Sequence, residues 1–255
     1  MSAPFPAAIV SSILVSLLGL IGVITLFLDP PRLQRITYLL ISLAVGALIG
    51  DAVLHLLPEI FRKDGTRGSY WILAGLFVSF FLEKFLRWKQ DHGIIPHGQE
   101  GHVHVHAIKP VGRIILIADG LHNFIDGLLI GASYLASIPI GIATTFAVIF
   151  HELPHELGDF GVLVDSGWKP GRALLFNFLS ACVAIFGVLA AFVFQSFVQD
   201  FTTIGLSITA GSFLYIAGSN LIPELQKESA PSKSFLQIIT ILAGIGFMAL
   251  LLRAE

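Results

Sequence analysis

The chain has 255 residues and a formal net charge of −2; 55% of its residues are hydrophobic and 13% charged, and its mean hydropathy is +0.84. A soluble domain carries about 25% charge, so a soluble globular fold is excluded and no nucleic-acid partner is expected. The single cysteine, Cys182, lies inside an apolar block, which excludes a disulfide framework and a thiolate metal site.

The apolar blocks are long enough to cross a hydrocarbon core of about 30 Å, and their pattern predicts an all-α integral membrane protein forming a single transmembrane domain over residues 1–255. The first span, roughly 7–28, begins within the N-terminal MSAPFPAAIV, which lacks the positive region of a signal peptide, and so reads as a retained helix. DPPRLQR closes it. A second span, roughly 36–60, holds Asp51 and His55 four residues apart and ends in HLLPEI. RKDGTRG leads to a third, roughly 69–88.

A His-rich loop at about 89–110 follows, with His92, His97, His102, His104 and His106. HVHVH in a solvated linker can catch metal at neutral pH. The fourth span, roughly 111–136, contains ADGLHNFIDG, and the fifth, roughly 138–164, contains HELPHELGDF. The sixth, seventh and eighth, roughly 170–195, 202–226 and 234–252, are separated by turn-rich segments and contain no such motif. The loops joining spans 1–2, 3–4, 5–6 and 7–8 receive 11 of the 15 Lys and Arg. By the positive-inside rule that side is cytoplasmic, and both termini are extracytoplasmic.

NLIPEL at the end of span 7 echoes HLLPEI at the end of span 2. Spans 1–3 and 6–8 enter the membrane from opposite sides, which is the plan of an inverted repeat flanking spans 4 and 5.

Ionisable side chains inside a span are costly and mark a pathway or site. His122 and Asp126 share a helical face, with Asn123 beside them and Asp119 one turn earlier. His151 and His155 are four apart, as are Glu152 and Glu156, and Asp159 continues the stripe. Imidazole and carboxylate together suit Zn(II), Fe(II), Mn(II) and similar ions. Glu156 and Asp159 are read as ligands or as partners of the helix that Pro154 kinks; Asp119 as a residue beside the ligands or on the way in. Asp51 and His55 are read as ligands or as a pair bonded to each other. The string HELPH alone also fits an intramembrane zinc protease, with Glu152 as general base, and the cluster alone fits a metal-gated membrane sensor.

HNFIDG in one span followed by HELPHELGD in the next resembles the ZIP family of divalent-metal transporters, closest to the subfamily with HExPHExGD. The resemblance implies eight helices arranged three, two and three, a metal centre between helices 4 and 5, and import of Zn2+, or of Fe2+, Mn2+ or Cd2+, toward the cytosol. It implies a homodimer in the plasma membrane, or in the inner membrane if the source is bacterial, with no enzymatic activity and no cofactor beyond the transported ion. By motif position it places His122, Asp126, His151, Glu152 and His155 on the metal, with Asn123 completing a second site and Asp126 and His155 bridging two ions. His55 is implied as a ligand near the outer mouth, and Asn177 of LLFNFLSA as a polar ligand from the sixth span. The expected mechanism is alternating access, with the ion passing Asp51 and His55 before it reaches the centre.

Overall fold

The computed structural model describes residues 4–92, 110–198, 200–228 and 230–254, and these are helical with no strand among them. Helix α1 (Pro4–Ser16) runs on as a tighter 3-10 segment, Leu17–Leu26. α2 (Pro30–Asp51) passes through a π segment, Ala52–Leu56, into α3 (Leu57–Asp64). Three long helices follow: α4 (Arg67–His92), α5 (Pro110–Ala136) and α6 (Ile138–Asp165). α7 (Pro170–Ala181) and α8 (Val183–Phe194) are parted only at Cys182. α9 (Phe201–Tyr215) passes through a second π segment, Ile216–Leu221, into α10 (Ile222–Leu225), and α11 (Pro231–Leu251) closes the fold.

Local chemistry sets these limits. Asp29 accepts a hydrogen bond from the Arg32 amide at 2.9 Å ahead of Pro30, and Ser137 does the same for Ile140 at 3.2 Å ahead of Pro139. Each satisfies an amide that the first helical turn leaves without a partner, and proline there loses no hydrogen bond. Gly65 and Gly167 turn the chain at φ 55° and 91°, a region open to glycine at little steric cost.

Among the described residues, six helical rods are long and apolar enough to cross a membrane: Pro4–Leu26, Pro30–Asp64, Ile115–Ala136, Pro170–Phe194, Phe201–Leu225 and Pro231–Leu251. Their ends lie within a few residues of the expected spans. The other two expected spans, 69–88 and 138–164, fall inside α4 and α6. The second half of α6 carries Glu152, Glu156, Asp159 and Asp165, and α4 ends in EKFLRWKQDH, so charge counts against both. Pro154 sits inside α6 without breaking it. His92 ends α4; His97, His102, His104 and His106 lie outside the described residues.

The helices pack as two groups. One contains α1, its 3-10 extension and α5 to α8; the other contains α2, α3, α4 and α9 to α11. Within each group, backbones touch at reciprocal glycines. A β-carbon at Gly127 would lie 1.9 Å from the Ala184 carbonyl oxygen, and one at Gly187 2.1 Å from that of Phe124, so α5 and α8 meet without side chains between them. Gly75 and Gly211 join α4 to α9 in the same way, and Gly46 and Gly244 join α2 to α11. Such small-residue contacts let helices approach closely where lipid supplies no hydrophobic drive. Between the groups, α6 packs on α2 and α5 on α9.

Candidate metal centre

Only Ser137 separates α5 from α6, so the two run antiparallel from a one-residue turn. His122 lies 15 residues before Ser137 and Glu152 15 residues after it. At about 1.5 Å per residue both therefore sit at the same depth, some 22 Å from the turn. HNFIDG and HELPHELGD meet for that reason.

Four side chains converge there. His122 Nε2 lies 3.2 Å from Glu152 Oε1 and 3.8 Å from Asp126 Oδ2. His151 Nε2 lies 3.1 Å from Asp126 Oδ2 and 3.3 Å from Glu152 Oε1. One ligand atom from each of the four fits within 4.8 Å of the others. Asp126, His151 and Glu152 are buried, and His122 is partly so. The close approaches are not hydrogen bonds: His122 Nε2, His151 Nε2 and both oxygens of Asp126 and Glu152 are buried without a hydrogen-bond partner. Atoms bonded to one zinc ion at about 2.0–2.1 Å in a tetrahedron stand about 3.3 Å apart. The spacing is that of ligands around a cation. His151 Nδ1 lies 3.2 Å from the Ala147 carbonyl, which turns Nε2 toward the cluster.

His155 points elsewhere. Its ring stacks on His122, centroids 5.0 Å apart, but Nδ1 faces Asp159 Oδ2 at 3.4 Å and Asp119 Oδ1 at 3.9 Å. Asp119, His155 and Asp159 form a second group of potential ligands, and Asp119, Glu152 and Glu156 a third. The three groups are continuous through Asp119 and Glu152. His151 and His155 thus belong to different groups, whereas a zinc protease needs both histidines of its motif on one ion.

The sixth span contributes two further polar residues. Asn177 donates to Glu156 and, at 3.1 Å, to the Gly19 carbonyl. Ser180, one turn on, donates to Asp119. Asn123 donates to Asp119 Oδ1 at 2.9 Å. The side-chain oxygens of Asn123 and Asn177 stay buried without a hydrogen-bond partner. Ser180 was not singled out in the sequence, although its i, i+3 spacing from Asn177 puts both on one face.

A cavity of about 660 Å3 opens onto this region. His122, Asp126, His151 and His155 line one wall, and Leu82, Ile204 and Ile208 of the other helix group stand opposite. Asp51 and His55 do not line it. They form their own buried pair, His55 Nδ1 to Asp51 Oδ1 at 3.3 Å, and Thr144 of α6 donates to Asp51 Oδ2 at 3.0 Å.

Membrane-length helices enclosing a buried cluster of imidazoles and carboxylates define a multi-pass membrane protein with a candidate cation site in its interior. The family model described as ZIP zinc transporter matches residues 89–252. The chain belongs to that family. It is 32% identical to zinc transporter ZIP13 of Danio rerio, over 83% of this chain and 75% of that protein. The mouse zinc transporter ZIP13 is 33% identical, over 83% and 69%. The metal cation symporter ZIP14 of Xenopus tropicalis is 30% identical, over 93% of this chain and 67% of its own length.

Proposed function

We propose that this chain imports a divalent transition-metal ion, foremost Zn2+, toward the cytosol by alternating access. The carrying observation is the convergence of His122, Asp126, His151 and Glu152, with nitrogen and oxygen atoms 3.1–3.3 Å apart and no hydrogen-bonding geometry, at the edge of a cavity. Buried groups of this kind are stable when shared coordination of a cation offsets their desolvation.

The ligands are mixed nitrogen and oxygen and one of them is partly exposed, which favours release; a closed four-ligand site is structural. Asp119, His155 and Asp159 continue the polar path beyond the first group and serve as its next station, with Asn123, Asn177 and Glu156 at its side. Asp51 and His55 are the outer station. His92, His97, His102, His104 and His106 receive ions on the cytosolic side.

In this reading all the long helices, α4 and α6 included, span the membrane, giving eight spans in the plasma membrane with both termini outside, in a homodimer. Glu152 and Glu156 of α6 are buried in protein, and Asp159 of α6 and Glu83 of α4 line the cavity, surroundings in which charge within a span is tolerated. Two features support an inverted repeat of spans 1–3 and 6–8. Each copy has a π segment that ends one residue before its Pro-Glu, at Ala52–Leu56 and Ile216–Leu221. Gly46 also precedes His55 by nine residues, as Gly211 precedes Asn220, and each glycine contacts a partner helix at its own backbone.

The test is radioactive zinc uptake into proteoliposomes holding the purified full chain. Accumulation above empty vesicles, competed by Cd2+ or Fe2+ and lost in the Asp126→Ala variant, is expected. Uptake equal to that of empty vesicles overturns the proposal.

A further inference from the structure

Hydrogen bonds between side chains and other helices mostly stay inside one helix group. Ser11 with Tyr134, Ser16 with the Ala181 carbonyl and Asn177 with the Gly19 carbonyl join α1 and its extension to α5 and α7. Tyr38 and Gln237, both on the Leu225 carbonyl, and Tyr215 on Glu83, hold the other group. The Thr144 bond to Asp51 crosses from one group to the other.

The donor is unusual for a threonine in a helix, whose hydroxyl ordinarily bonds back to its own chain. Thr145, the next residue, donates to the Gly141 carbonyl at 2.7 Å, and Thr209 to Gly205 at 2.8 Å. Thr144 instead reaches a carboxylate on α2. Both residues are fully buried, and Asp51 holds His55 with its other oxygen.

Thr144 lies two helical turns before His151 on α6, about 10 Å along the axis. Ala147 and Val148 fill the interval and share one core with Leu48, Ala52 and Phe213, all five without exposed surface. That apolar layer lies between Asp51 and the centre, and neither Asp51, His55, Ala147 nor Val148 lines the large cavity. The route from Asp51 to the centre is shut at this level, and α6 must part from α2 there before an ion can pass that way.

We propose that Thr144 is the clasp of the outer closure: its hydroxyl holds Asp51 while the path is shut and yields the carboxylate to an arriving divalent cation. This rests on the transport reading. A neutral hydroxyl leaves the charge of Asp51 uncompensated in a medium of low dielectric, whereas a cation shared with His55 neutralises it. The exchange therefore runs in the direction that opens the layer. Thr144 positions α6 against α2 and does not itself hold the transported ion.

The experiment places a single cysteine in the layer, Val148→Cys in a Cys182→Ala background, and follows its modification by a membrane-impermeant methanethiosulfonate applied to intact cells without added metal. Adding Thr144→Val, which keeps the shape and removes the hydroxyl, should speed labelling by at least threefold; Thr144→Ser should label at the parental rate. Asp51→Asn should raise the rate less than Thr144→Val does, and combining it with Thr144→Val should add nothing further. Equal rates for the Val and parental proteins, or equal acceleration by Val and Ser, overturns the clasp. The labelling does not require transport, so its outcome is distinct from that of zinc uptake by the parental protein.

Discussion

His122 and Glu152 oppose each other across the α5–α6 boundary with Nε2 and Oε1 3.2 Å apart, yet neither atom has a hydrogen-bond partner. Two polar groups this close without hydrogen-bonding geometry are placed as two ligands of one cation would be, and the same holds for His151 with Asp126. The α5–α6 turn sets their depth, and the Ala147 carbonyl sets the ring of His151.

Removing charge at this point while keeping shape should therefore cost transport more than folding. Glu152→Gln retains the volume and one carbonyl oxygen but loses the anionic ligand. Zinc uptake should fall about tenfold or more, equivalent to about 1.4 kcal/mol of lost cation stabilisation per decade. The helical circular dichroism and the elution volume should stay at parental values. Uptake within twofold of the parent would remove Glu152 from the ligand set.

Ser180 is a positioning residue on the same logic. Its hydroxyl donates to Asp119, which in turn accepts from Asn123. Partners that orient ligands typically change metal affinity by about 10–100-fold when removed. Ser180→Ala should weaken zinc binding by about tenfold in competition with a chromophoric chelator, and Ser180→Thr, which restores a hydroxyl, should recover most of it. Equal affinity in Ala and Thr variants would assign Ser180 to packing alone.

The meeting of α5 and α6 was legible because helical spacing reports which residues share a face, and equal distances from Ser137 report depth. The azimuth of His155 was not. The resemblance joins it with Asp126, whereas the structure turns it toward Asp119 and Asp159. Spacing along one helix does not say which neighbour a rim residue meets. Thr144 and Ser180 were equally hidden, since a hydroxyl in a helix bonds its own backbone by default and only the packing of a second helix redirects it. Asp51 and His55 fit ligands or a mutual pair from their spacing; the structure sets them 3.3 Å apart, and nothing in i, i+4 spacing foretold an apolar layer between them and the centre. Glu152 and Glu156 of α6 are buried although the helix falls short of the apolar length of the six rods.

Acid should oppose metal loading. Imidazole binds a cation only when neutral, and carboxylates only when ionised, so each ligand must lose its proton first. His122 and His151 supply two of the four converging groups, and uptake should decline as the medium moves from about pH 7.5 to about pH 5.5 at fixed free zinc. The decline should appear as a rising half-saturation concentration, with the maximal rate recovered at high zinc, because cation and proton compete for the same atoms. A pH profile flat over that range would show that histidine does not hold the ion.

The reciprocal glycines predict where the two groups resist change. Alanine at Gly127 would bring a β-carbon 1.9 Å from the Ala184 carbonyl oxygen, which belongs to backbone and cannot swing aside. α5 and α8 would have to separate, and overpacking of this kind costs about 1–3 kcal/mol. Gly246 of α11 has open space around its α-carbon, so alanine there adds only helix propensity, worth about 1 kcal/mol in a soluble helix. Thermal unfolding in detergent should therefore move down by several degrees for Gly127→Ala and should hold or rise for Gly246→Ala. Because α5 carries His122 and Asp126, the Gly127 variant should also bind zinc more weakly when folded, whereas the Gly246 variant should bind as the parent does. Equal unfolding temperatures for the two variants would mean that the α5–α8 contact is looser than its geometry requires.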